Sequence, residues 1–445
     1  MLDLAEALAE GAATATDLLA EARAAIADPA KPGKATFVAV AGEAADAAAA
    51  AADRLRQTGW SASPLAGLPV SVKDLFDVAG QVTRAGSVLL ADAPPAKADA
   101  IAVNRLRQAG AVVVGRTNMT EFAFSGLGLN PHYGTPGNPA DRARIPGGSS
   151  SGAGVSVVDG MAAAAIGTDT GGSVRIPAAL TGLAGFKPSH GRVPLDGCFP
   201  LSPSLDTIGP LAPTIGCCAI LDAVLAGQPI RPLASVAPDR LRLAVADGGV
   251  MDDLDDTVAR AFHRAVDRLS QAGARCEQIP VPEFDEALAA NRRGGLVVPE
   301  AFYVHAAWVG DHGDRYDPRV ISRIRRGAQI TARELLEIQA IRHRLMASFA
   351  ARLEGYDAVL LPTVATVAPL TAPLEADDDQ YARANVLMLR NTGVGNFLDA
   401  CAATIPCHAG GELPVGLQLA APQGRDHRLL TVAAAVETVV RNPDG

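Results

Sequence analysis

Apolar and polar residues follow two rhythms along this chain. Over 5–27 and 43–55, alanine-rich runs carry charges at helical spacing, and Pro29, Pro32 and Gly33 break the pattern. The first sixty residues therefore predict helices. From position 68 the rhythm changes. Leu68-Pro69-Val70-Ser71-Val72-Lys73 predicts a strand, 99–108 a helix, and 111–114 a second strand after Gly110. Further on, 241–246 predicts a strand and 256–272 a strong helix ended by Gly273. Residues 283–355 read as mostly helical, 357–361 and 415–419 as strands, and 426–440 as a final helix. Strands alternating with helices predict an α/β fold around a largely parallel sheet. No internal repeat is visible.

Between Gly126 and Gly209 the chain is dense in Gly, Ser and Pro and has no charge runs. Apolar stretches at 161–166 and 183–186 argue against a floppy linker. They predict a packed interior in which backbones approach closely and need glycine. A glycine-rich core is costly, and such cost accompanies a site. The one local basic cluster, Arg323-Ile324-Arg325-Arg326, predicts a solvated helix face.

Composition narrows the function classes. Hydrophobic residues make up 49 %, enough to bury a large core and to exclude intrinsic disorder, while aromatics are only 4 %. A net charge of −9 without a long basic run argues against nucleic acid or an anionic membrane surface as partner. No apolar run is long enough to cross a bilayer, and the acidic start Met1-Leu2-Asp3-Leu4-Ala5-Glu6 does not resemble a signal peptide. Six sparse cysteines, with no C-x-x-C or H-E-x-x-H spacing, predict neither a disulfide framework nor a zinc site. A reduced, cytoplasmic setting is expected.

The chemistry concentrates in Gly147-Gly148-Ser149-Ser150-Ser151-Gly152 and Gly167-Thr168-Asp169-Thr170-Gly171-Gly172-Ser173-Val174-Arg175-Ile176-Pro177, with Ser71-Val72-Lys73-Asp74 upstream. These segments, their order and the spacing of Ser149 and Ser173 resemble the amidase signature family of serine hydrolases. Asn138-Pro139 and Gly185-Phe186-Lys187-Pro188 fit as well. A weaker likeness continues through Leu361-Pro362-Thr363 and Leu413-Pro414-Val415-Gly416-Leu417-Gln418. The resemblance implies a mixed, largely parallel central sheet with helices on both faces, in a single domain over 1–445. Its parts would be N-terminal helices (1–60), a catalytic core (61–245), a helical substrate-shaping segment (283–355) and a C-terminal α/β completion (356–445).

A serine hydroxyl is a weak nucleophile until a neighbour takes its proton, and no histidine lies in these motifs. The candidate base is Lys73. An ordinary lysine has a pKa of about 10.4, so Lys73 needs desolvation, which Val70, Val72 and Leu75 are placed to supply. Strand alternation puts Asp74 on the opposite face. By resemblance, Ser173 attacks the amide carbonyl, Ser149, on a cis peptide from Gly148, relays the proton, and Lys73 receives it. The resemblance also implies an oxyanion hole of N–H groups from Thr170, Gly171, Gly172 and Ser173, and an acyl-enzyme on Ser173. Ser150 is expected to support Ser149 and Lys73, Asp169 and Arg175 to brace the loop, and Met119, Tyr133 and Arg390 to touch substrate. No cofactor or metal is implied.

Other readings compete. Gly148-Ser149-Ser150-Ser151-Gly152 also fits the G-x-S-x-G elbow with Ser150 as nucleophile, but His190, His305 and His343 lack a distinctive context for its base. As a phosphate loop the stretch fails, because no G-K-[ST] closes it. The glutaminase component of a tRNA-dependent amidotransferase complex is a relative of different role. Aligned on Thr392 and Asn396, this chain puts Leu389 where that glutaminase carries an aspartate for the glutamine ammonium. A stand-alone amidase acting on a small polar amide is favoured over it, and over a non-catalytic scaffold with an inherited fold. The expected partner is the small-molecule amide, with a homodimer left open.

Overall fold

The computed structural model describes residues 1–292 and 294–441. Eleven strands form one sheet: β1 (Phe37–Val40), β2 (Pro69–Lys73), β3 (Val112–Thr117), β4 (Ala164–Thr168), β5 (Ala184–Lys187), β6 (Ile208–Ala212), β7 (Arg242–Asp247), β8 (Arg275–Pro280), β9 (Ala358–Pro362), β10 (Cys401–Pro406) and β11 (Gly416–Ala421). Their spatial order is β1-β3-β2-β4-β6-β5-β10-β11-β9-β7-β8. The mixed sheet expected from the sequence is present, but its parallel share is smaller than expected. Four ladders are parallel (β2 with β3 and β4, β7 with β8 and β9). The other six are antiparallel. The reason lies in the connections. A parallel pair needs a crossover of a dozen or more residues, usually a helix. β10 and β11 are joined by a short loop, and β5 and β6 by the helix-free Gly/Pro segment 188–207.

Strands β2, β4, β9, β10 and β11 are buried at every position. Period-two alternation divides their side chains between two cores. Leu360, Ala403 and Leu419 enter one cluster, while Val359, Ala402 and Ala420 enter another on the opposite face. Both faces are thus covered, which is why β9 reads as a continuous apolar run. Edge strand β8 is largely exposed and polar, and nothing in its pattern announced a strand.

The helix expected over 5–27 is two helices, Leu2–Glu10 and Ala15–Ala27. Gly11 ends the first in the left-handed region at φ 73°, and Thr14 opens the second in a capping box with Asp17. Among the described residues no helix is long and apolar enough to cross a membrane. All six cysteines are free thiols.

Candidate active site

Parallel strands β2 and β4 lie side by side, and their carboxyl ends carry the first two groups of the site, Lys73 and Thr168. Lys73 is fully buried. Its Nζ lies 2.8 Å from Ser149 Oγ and donates to Thr168 Oγ1 at 2.7 Å. Burial lowers the amine to about 7, against the smaller upward pull of Cys198, Asp206 and Asp169. Asp74 points the other way and pairs with Arg116 at 2.6 Å, so its charge is spent away from the amine.

Ser149 follows a cis peptide from Gly148 and, with Ser150, leads into helix Ser151–Val158. Ser149 is wholly buried. Ser173 sits two residues before helix Arg175–Thr181 and opens onto a cavity of about 490 Å³. No hydrogen bond joins the two serine hydroxyls. Such contacts are commonly loose before substrate binds.

The loop between β4 and Ser173 is clamped by Asp169. One carboxylate oxygen accepts from Gly172 N at 2.8 Å, Arg175 Nη2 at 2.9 Å and Asn396 Nδ2 at 2.9 Å. The other accepts from Val174 N at 3.2 Å, Arg175 N at 3.3 Å and Arg175 Nε at 3.0 Å. Burial works to raise the Asp169 pKa, but Arg175 and the other donors outweigh it and hold the carboxyl well below the usual range. Arg175 reaches on to Gln418 Oε1 at 2.9 Å and Asn396 Oδ1 at 2.6 Å. Thr392 Oγ1 donates to Gly171 O at 2.6 Å. Gly172 has φ 132°, and a methyl group there would collide with the Thr392 side chain. Asp206 ties the loop to the cavity wall, accepting from Thr170 Oγ1 at 2.5 Å and from the N–H groups of Leu201 and Ser202.

Several expectations need correction. The N–H of Gly172 is taken by Asp169, which leaves those of Thr170, Gly171 and Ser173, for which no acceptor is found among the described residues. Ser150 makes no hydrogen bond to Lys73; its hydroxyl is turned to Thr168 O at 3.4 Å, and Thr168 is the second hydroxyl bonded to the amine. That fully buried geometry also removes the elbow reading, because Ser150 neither lines the cavity nor bonds to a histidine. Met119 packs into an apolar cluster and Tyr133 reaches Ser87 O at 3.3 Å, so neither lines the cavity. Phe124, just after the turn Glu121–Ala123, does reach the cavity. Arg390 borders the cavity, but its three guanidinium nitrogens already donate to Asn391 Oδ1, Asp252 O and Val250 O.

The basic cluster is the largest surprise. Arg325 and Arg326 are exposed, as a solvated helix face requires, but Arg323 is half-buried, and Arg323 and Arg326 both border the cavity. No role is expected from the sequence for Thr168 or Gln418. A polar residue inside an otherwise apolar strand, as at Gln418, was the signal available for one of them. A shallow depression of about 570 Å³ along helix Asp256–Gln271 contains none of these residues.

Comparison with known proteins bears on the family and the fold. The family profile named Amidase matches residues 20–430. A protein of Comamonas testosteroni named 2-amino-5-chloromuconic acid deaminase is 42% identical, over 90% of this chain and 87% of its own. A glutamyl-tRNA(Gln) amidotransferase subunit of Acidothermus cellulolyticus is 35% identical, over 92% of this chain and 88% of its own. A crystal structure of an amidase superposes with a TM-score of 0.88 at 32% identity, covering 99% of both chains. On family, fold and the intact motifs together, the chain belongs to the Amidase family and is an amidohydrolase.

Proposed function

We propose that this enzyme cleaves a small polar amide through an acyl-enzyme on Ser173, with Ser149 and Lys73 moving the proton. The observation that carries the reading is a fully buried lysine amine, lowered to about 7, at 2.8 Å from Ser149 Oγ. A neutral amine has one lone pair and two hydrogens. One hydrogen goes to Thr168 Oγ1, and the lone pair is free to accept the Ser149 proton as Ser149 takes that of Ser173. The Ser173 oxygen then attacks the carbonyl carbon. The N–H groups of Thr170, Gly171 and Ser173 meet the developing oxyanion, held in place by Asp169 rather than organised during the reaction. Collapse returns the proton through Ser149 to the leaving nitrogen, and ammonia or an amine departs. Water enters by the same relay, cleaves the ester and restores the hydroxyl of Ser173.

The relationship to the amidotransferase glutaminases keeps glutamine in view as a substrate. Leu389 stands beside Gly126 and Gly171 at the cavity, and no Asp or Glu is among the described wall residues. The ammonium of glutamine would find no carboxylate there, which favours a stand-alone amidase. Six free thiols fit a reduced, cytoplasmic setting.

A fluorophosphonate probe tests the nucleophile. One probe mass is expected on the peptide containing Ser173, and none on Ser173→Ala, whose amide turnover falls by about 10³-fold or more. Labelling that survives in Ser173→Ala would reject the assignment.

A further inference from the structure

The cavity above Ser173 is lined by apolar side chains, among them Leu288, Val297, Val386 and Leu389, and by four arginines among its described residues. Arg390 is already spent on carbonyls. Arg323 and Arg326 are not. They stand three residues apart at the end of helix Pro318–Arg325 and in the turn that follows, so their side chains share one face. The neighbouring Arg319, one turn earlier, pairs with Asp378 at 2.7 Å, as other arginines of this protein pair with acids. Among the described residues neither Arg323 nor Arg326 has a carboxylate partner.

Arg323 is also fixed in place. Its guanidinium carbon lies 5.1 Å from the centre of the Phe124 ring and 5.6 Å from that of Tyr381. Nη2 reaches the Tyr381 hydroxyl at 3.4 Å, and Nε is enclosed without an acceptor. Stacking on aromatic faces leaves the polar edge of a guanidinium open, and that edge matches a carboxylate bidentately. With Arg292, they put three cations without a carboxylate partner on a wall that holds no Asp or Glu among its described residues, which suits an anionic group on the ligand.

We propose that Arg323 and Arg326 bind a carboxylate of the substrate, which is therefore the monoamide of a small dicarboxylic acid. The inference rests on the amide-hydrolase reading above and specifies its substrate class. The apolar wall takes the methylene or alkenyl chain, the arginines take the distal carboxylate, and the amide end reaches Ser173.

Adipamic acid and hexanamide, alike in chain length and differing in the distal carboxylate, are the substrates for the test. The unaltered enzyme is expected to prefer adipamate by at least about tenfold in kcat/KM. Arg323→Gln and Arg326→Gln should each reduce that preference, by about ten- to a hundredfold, through KM rather than kcat. Equal kcat/KM for the two amides, or variants that lower both alike, would overturn the proposal while leaving amide hydrolysis intact. If neither amide is turned over, the hydrolase reading is the one in trouble, and calorimetry with the adipate dianion decides the subsite. Binding that weakens tenfold or more in both variants supports it, and no binding to the unaltered protein refutes it.

Discussion

Lys73→Met is expected to silence the enzyme and to make the protein more stable. Loss of the base should lower kcat by about 10³-fold or more. The stability gain follows from linkage. Lys73 has a folded pKa of about 7, below its ordinary value of 10.5, so between those limits the unfolded chain binds a proton that the folded chain does not. The penalty is fully present below about pH 7 and fades as pH rises towards 10.5. At pH 8 it amounts to about 3 kcal/mol. Methionine escapes that term but gives up the bonds to Ser149 and Thr168, at about 1 kcal/mol each, for a net gain on the order of 1–2 kcal/mol. Urea unfolding at pH 7 and pH 10 should show the difference shrinking with pH. A difference that grows with pH, or a variant less stable at pH 7, would mean that the amine is folded in as a cation. The same titration predicts kcat/KM rising to a plateau above about pH 7.

Asp169→Ala should be the most damaging change to the fold itself. It strands the fully buried Arg175 guanidinium and frees the N–H groups of Gly172, Val174 and Arg175. Removing one partner of a buried pair destabilises by about 3–5 kcal/mol. Turnover should disappear as well, because the loop that presents Ser173 loses its anchor. The double variant Asp169→Ala with Arg175→Met is expected to regain part of the stability and none of the activity. A loss under about 1 kcal/mol in the single variant would show that the loop is held from elsewhere.

How much of this was visible beforehand depended on the kind of signal. The strand at 68–73, the helix at 256–272 and the final helix have clear periodicity and turn or cap residues, and they appear close to the expected bounds. The buried run 401–406 and the polar edge strand at 275–280 have no alternation to read, one because both faces are covered and the other because only Cys276 and Ile279 pack inward, one on each face. Within the site, motif order pointed to Lys73, Ser149 and Ser173, which lie at strand ends and helix starts. It was blind to Thr168 as Lys73's partner, since that contact arises only from the parallel register of two strands. The basic cluster was half read, its exposure foreseen and its place beside the cavity not, for a related reason. A helical charge cluster looks the same from sequence whether it faces solvent or the mouth of a cavity.

Arg175 reaches Gln418 across 243 residues of chain. At synthesis rates of about 5–20 residues per second, the second follows the first out of the ribosome some 12–50 s later. Until then the loop that carries Ser173 lacks the brace that runs from Asp169 through Arg175 to Gln418. A nascent chain stalled short of Gln418 should therefore release no ammonia from any amide, although Lys73, Ser149 and Ser173 are all already made.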